Sequence, residues 1–241
     1  RRGAILKLSV KPLFDLHTHT IASGHAFSTL LENLTEAKKK GLIALGTSDH
    51  SPGMPWGTNK MFFENYKILP SQVDGVRLLK GMEANIIDYE GNIDGGIIME
   101  EMDYVIVSLH SHCIHAGTRE ENTSAVLGAM QHSPVRILGH LDDGRYPLDY
   151  DAIAESALKY GVAIEINDSS LRPSTARKDC VHLVHVLAET AKKYKVPVVL
   201  NSDAHIWCNV GRLDAAEQVL KDVDYPEELI LNYSEQGLQW I

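Results

Sequence analysis

Apolar residues recur along this chain with two alternating periods. Short runs of four to eight positions, alternating or continuously apolar, are separated by longer stretches with apolar residues three and four apart. The first pattern predicts strands and the second amphipathic helices. Strands are predicted over residues 12–17, 42–49, 76–83, 103–109, 135–139, 162–166 and 197–200. The first helix is predicted over 28–40, with Ser28 as its cap and Gly41 as its stop. Further helices are predicted over 60–69, 120–131, 150–160, 177–194 and 214–223, before a short C-terminal element. Within 177–194, Cys180, Val184, Leu187 and Ala191 are spaced four, three and four apart, which gives one buried face. The stretch Ser51-Pro52-Gly53-Met54-Pro55-Trp56-Gly57 reads as a loop, and Glu90-Gly91-Asn92 as the tip of a hairpin.

Seven β runs separated by helices predict an α/β fold with a parallel sheet. No linker, repeat or low-complexity segment divides it, so one domain is expected over residues 1–241, a length ordinary for a single βα barrel.

Composition adds limits. The chain is 44% hydrophobic and 23% charged, enough to bury a large core. A net charge of −9 argues against bare nucleic acid as a partner, and Lys38-Lys39-Lys40 is explained by a solvated helix face. Cys113, Cys180 and Cys208 lie far apart, which is no disulfide framework and fits a reducing, cytoplasmic setting. There is no apolar run of the ~18 residues needed to span a membrane, and no basic-then-apolar leader follows Arg1.

The twelve histidines change the picture through their placement. His17, His19 and His25 follow the first predicted strand, and Asp49 and His50 the second. Glu83 ends the third. His110 follows the fourth and His140 the fifth. Glu165 and Asn167 end the sixth, and Asp203 and His205 follow the seventh. A barrel gathers the carboxyl ends of its strands round one axis, where such folds build their active sites. Imidazole and carboxylate together suit zinc, manganese or iron. His17 and His19, like Asp203 and His205, are two apart, so in an extended segment both side chains point one way.

Asp15-Leu16-His17-Thr18-His19, Ser48-Asp49-His50, Gly81-Met82-Glu83, Gly139-His140 and Ser202-Asp203-Ala204-His205 resemble the PHP (polymerase and histidinol phosphatase) family. Glu165-Ile166-Asn167 and the length most resemble its YcdX-like phosphatase branch. That resemblance implies a distorted TIM-like barrel of seven βα units with a trinuclear, usually zinc, centre; Mn2+ and Fe2+ are the alternatives. It implies one ion on His17, His19, Glu83 and Asp203. Glu83 would bridge to a second ion on His110 and His140, and His25, His50 and His205 would hold the third. It also hints at a homo-oligomer, a trimer.

The activity expected is hydrolysis of a small phosphomonoester by a metal-bridging hydroxide, with Asp203, Glu83 and His205 as the catalytic residues. The rivals are a phosphodiesterase or nuclease, an amide or lactone hydrolase with the same metals, and a metal-binding module without catalysis. His112 and His115 read as loop residues, His182 and His185 as a solvated helix face, and Cys113 as a small buried residue. Arg145 and Arg172 read as surface ion pairs, with phosphate binding as the alternative.

Overall fold

The computed structural model describes residues 11–241; Arg1, where the expected single domain begins, lies outside them. In chain order the elements are β1 (Phe14–Asp15), α1 (Leu30–Lys39), β2 (Ala44–Thr47), α2 (Lys60–Glu64), β3 (Gln72–Val73), β4 (Val76–Asn85), β5 (Tyr104–Ser108), α3 (Arg119–Ala129), β6 (Val135–Leu138), α4 (Tyr150–Tyr160), β7 (Ala163–Asn167), α5 (Cys180–Tyr194), β8 (Val198–Asn201), α6 (Asp214–Asp222) and α7 (Gly237–Trp240), joined by short 3-10 turns. Seven strands pair in parallel in the order β1-β2-β4-β5-β6-β7-β8. The result is the expected TIM-like barrel, nearly closed. β3 is an addition the pattern missed: it folds back antiparallel on β4. Its turn residues Asp74 and Gly75 both take positive φ, as a tight hairpin requires.

The seam between β1 and β8 has no regular ladder. A single parallel bridge, Thr18 to Ala204, closes it at the carboxyl rim. Below that, side chains do the joining. Asn232 is buried and donates from Nδ2 to the carbonyls of Phe14 and Leu200, while its Oδ1 accepts from Leu200 N. Asn201 accepts from Leu16 N, and Ser202 donates to Asp15 through both its amide and its hydroxyl.

Phe14, Leu16, Ala44, Leu79, Tyr104, Ile106, Ile137, Ala163 and Val199 form one apolar cluster with Leu231 and Leu238. Tyr104 passes between strands and donates to the Leu16 carbonyl at 2.5 Å. Gly46 and Gly81 are required beside it, because a Cβ would lie 2.0 and 2.3 Å from its atoms. A larger apolar layer packs the outer face of the sheet against α3 to α6, and Leu34, Ala37 and Leu42 join a third on β2 and β4.

Most boundaries shift by a few residues from expectation, and three of the shifts bear on the site or its frame. α1 is capped by Thr29 rather than Ser28, through a capping box with Glu32; Ser28 instead accepts from Trp207 N. The helix expected from residue 177 starts at Cys180, leaving Arg177 in the preceding loop. The third predicted strand runs two residues past Glu83, to Asn85. Among the described residues no helix is long and apolar enough to cross a membrane.

Candidate metal centre

All nine residues expected as ligands lie at the carboxyl rim of the barrel, around one carboxylate. The bridge between Thr18 and Ala204 holds the β1 loop extended, so His17 and His19 face inward while the Thr18 hydroxyl bonds Gly46 on the other side. Glu83, near the end of β4, lies beneath them. His140 and Asp203, just past β6 and β8, sit at φ of 27° and 50°. Left-handed backbone at non-glycine residues concentrates where a site demands a particular side-chain direction.

Glu83 is the centre of the array. Its Oε2 lies 3.3 Å from His17 Nε2, 3.5 Å from His19 Nε2 and 2.8 Å from His50 Nδ1. Its Oε1 lies 3.0 Å from His140 Nε2 and 3.2 Å from His110 Nε2. Asp203 Oδ1 stands 3.6 Å from His17 Nε2 and 3.3 Å from His19 Nε2. His25 Nε2 and His205 Nε2 are 2.8 Å apart at the open side.

Ligands of one tetrahedral ion with bonds of 2.0–2.1 Å would be about 3.3 Å apart. The distances from His17 and His19 Nε2 to Glu83 Oε2 and Asp203 Oδ1, 3.3 to 3.6 Å, match that spacing. Ligand atoms within 4.8 Å of one another form three overlapping groups: His17/His19/Glu83, His19/His50/His205 and His50/Glu83/His110. His50 thus leans toward Glu83 as well as toward the His25–His205 side.

Four atoms in the middle, His17 Nε2, His19 Nε2, His50 Nδ1 and Glu83 Oε2, are buried without a hydrogen-bond partner. Each such orphan costs roughly 1–3 kcal/mol, and cations at this point would satisfy them together. The residues present therefore fit a cluster of divalent ions.

In five of the seven histidines the other ring nitrogen is already committed. His17 Nδ1 bonds Glu165 at 2.7 Å, His110 Nδ1 bonds Asn85 Oδ1 at 2.6 Å, and His19 Nδ1 bonds Ser23 Oγ at 3.2 Å. His25 and His205 donate from Nδ1 to the carbonyls of Ser23 and Asp203, at 3.0 and 3.1 Å. In each case Nδ1 carries the bond and Nε2 turns to the centre, the arrangement that fixes a ligand's tautomer.

Charge follows the same plan. Burial alone would neutralise Glu83, but His17, His50 and His110 hold its pKa well below the ordinary carboxylate value. Burial likewise opposes ionisation of Asp203, and His17 and Arg177 reverse it. Burial is outweighed at His17 by Glu165, Glu83 and Asp203, which raise its pKa well above the usual imidazole range. His19 is lowered well below it by burial, His205 and His50, and His25 falls to about 4 from the same three causes.

The array opens into a cleft of about 410 Å³. Its lining includes Met54, Trp56, His112, Arg145, Thr175 and Arg177. Arg145 chelates the buried Asp143, and Arg177 donates to Asp203 Oδ2 at 2.7 Å. Arg145 is therefore both an ion pair and part of the cleft wall. Arg172 pairs with Asp168 and is not among the lining residues.

His112 packs edge-on against Trp56 within the cleft, whereas His115 is exposed outside it. Cys113 is half-buried beside Met54. His182 is exposed on α5, and His185 bonds Val181 O and Asp222 there, the solvated face expected. Sequence reasoning missed Arg177, placing it inside a helix. It also missed Ser23, Asn85 and Trp56 as site residues; the Gly-Pro-rich loop round Trp56 was the only available signal.

The family model described as "PHP domain" matches residues 15–169. A protein of Clostridium botulinum named "probable phosphatase" is 42% identical over 227 residues, 94% of this chain and 92% of that protein. Another so named, of Caldanaerobacter subterraneus subsp. tengcongensis, is 44% identical over 230 residues, 95% and 90% of the two chains. The crystal structure of histidinol phosphate phosphatase from Lactococcus lactis, complexed with zinc, L-histidinol and phosphate, superposes with a TM-score of 0.61. It covers 89% of this chain and 95% of that one at 19% identity, a likeness of fold.

Proposed function

This chain belongs to the PHP domain family, and from that premise we propose that it is a metal-dependent phosphatase acting on a small phosphomonoester at a trinuclear centre. The observation that carries the reading is the set of orphaned imidazole and carboxylate atoms round Glu83, at ligand spacing beneath an open cleft. His17, His19, Glu83 and Asp203 would hold one ion. Glu83, through Oε1, would share a second with His110 and His140, and His25, His50 and His205 would hold the third. Zinc suits this nitrogen-rich donor set, with manganese and iron next.

Divalent ions in this site would supply Lewis acidity toward phosphoryl oxygens and lower the pKa of water toward neutrality. The chain's own groups do the rest. Arg177 fixes one oxygen of Asp203, so the other faces the cluster and can orient the attacking water. Glu83 spans two groups of imidazoles with its two oxygens. His205, 30% exposed, lines the cleft, where it would face the leaving side of a bound phosphomonoester. A storage site closes its coordination shell, whereas this one faces a cavity. The named relatives and the ligands of the Lactococcus protein support the same reading.

The test is a panel of p-nitrophenyl phosphate, a phosphodiester and an acyl amide. The monoester should be turned over fastest, activity should vanish on chelation, and zinc or manganese should restore it. Activity that survives complete metal removal, or a preference for the amide, would overturn the proposal.

A further inference from the structure

Ser23 stands out among the groups behind the ligands. It is fully buried, in a loop between β1 and α1. Its Oγ lies 2.6 Å from Asp49 Oδ1, 3.2 Å from His19 Nδ1 and 3.2 Å from His50 N. Its carbonyl receives His25 Nδ1 at 3.0 Å. One residue therefore touches three imidazole-bearing residues that reach the cluster from two different loops.

Burial raises the Asp49 pKa, opposed by its bonds from Ser23 and Thr20 and by His50; with Asp49 as the carboxylate, the direction of these bonds follows. A hydroxyl has one proton and two lone pairs. Asp49 is itself pinned, accepting from Thr20 N at 2.7 Å and from the Thr20 hydroxyl at 2.8 Å. Its carboxylate takes the Ser23 proton, so Ser23 Oγ can only accept from its other two neighbours. The His50 amide can only donate, which agrees. His19 must then carry its proton on Nδ1, leaving Nε2 bare toward Glu83 and Asp203. A backbone need supports the same geometry: Gly24 sits at φ 77°, where a Cβ would lie 2.6 Å from the Trp56 carbonyl. The chain thus turns sharply between Ser23 and His25.

We propose that Ser23, held by Asp49, is a positioning residue of the metal cluster, setting the tautomer of His19 and locking His25 and His50 into the same site. The inference rests on the metal-centre reading above. It places a hydroxyl where His17 has the carboxylate of Glu165 and His110 the amide of Asn85. Loss of such a partner typically lowers metal affinity 10- to 100-fold.

The experiment uses the full chain stripped with a chelator and titrated with zinc alone by calorimetry. In parallel, 15N-detected imidazole spectra of the zinc-free protein report which ring nitrogen of His19 bears the proton. In the wild type that proton should be on Nδ1. Ser23→Ala should bind at least one zinc 10- to 100-fold more weakly and lose the single-tautomer signature of His19, with an unchanged circular dichroism spectrum. Ser23→Thr, which keeps the hydroxyl, should recover both. Zinc binding by Ser23→Ala equal to wild type would overturn the assignment. So would a wild-type His19 protonated on Nε2, which needs no variant to fold. A wild type that takes up no zinc would remove the metal reading itself, and this proposal with it, a result distinct from the other two.

Discussion

At the scale of single residues, the ligand types were legible because chemistry and position coincide: histidines and carboxylates fall after strands, where a barrel concentrates them. What holds those ligands was less legible. Glu165 was noticed as a strand-end carboxylate. Its work is to take His17 Nδ1, His140 N, Asn167 and Asn201 at 2.7 to 2.9 Å, and no spacing in the sequence announces those partners. Glu165→Gln keeps the shape but supplies an amide in place of the charge that orients His17. Metal affinity should fall about 10- to 100-fold, measured by competition with a chromogenic chelator; an affinity equal to wild type would mean that Glu165 only fills space.

Asp142 is a second residue whose role depends on tertiary surroundings. Its Oδ1 accepts from the Ser170 hydroxyl, but Oδ2 is buried without a partner. Burial, only partly offset by Arg177 and Ser170, pushes its pKa up to about 6 from 3.8. A folded value above the unfolded one means that stability is fullest below about pH 4 and is lost as pH rises through 6. Asp142→Asn removes that penalty. Relative to wild type it should gain up to about 3 kcal/mol at pH 7.5, fading toward zero near pH 4. Urea melts at the two pH values give the sign, and a gain that is larger in acid would refute it.

At the scale of elements, every strand and helix predicted from periodicity is present, and the errors sit at ends. Ser28 and Thr29 can both cap a helix. The deciding signal is Glu32, three residues after Thr29, which returns a bond to the Thr29 amide at 2.7 Å. The hairpin partner β3 is only two residues long, too short to show a period, although Asp74-Gly75 carries the turn chemistry. Arg177 was assigned to a helix although the apolar spacing begins only at Cys180, where the helix in fact starts. Neither Thr29 nor Glu32 lines the cleft, so Thr29→Ala should cost about 1 kcal/mol of stability in chemical denaturation. Phosphatase activity should stay at the wild-type level; a matching loss of turnover would tie α1 to the site.

At the scale of the whole molecule, the fold class followed from alternation alone, but the manner of closure did not. The seam between β1 and β8 is sewn by Asn232, Asn201 and Asp15, and its one backbone bridge lies between the two loops that carry His17, His19, Asp203 and His205. The ligand loops are thus also the clasp of the barrel. That links the site to the architecture: residues from β1 and β8, nearly the full chain apart, meet where the sheet has no ladder of its own. The convergence of the donor atoms follows from the closure, and the ions would in turn tie the two edge strands together.

The most direct test is a crystal structure of the zinc-loaded protein with anomalous data at the zinc edge. The account predicts strong anomalous peaks on both sides of the Glu83 carboxylate, about 2.0 to 2.2 Å from the ring nitrogens and carboxylate oxygens now left bare, with a further peak between His25 and His205. A map without anomalous density among His17, Glu83, His140 and Asp203, from protein grown with excess zinc, would contradict it.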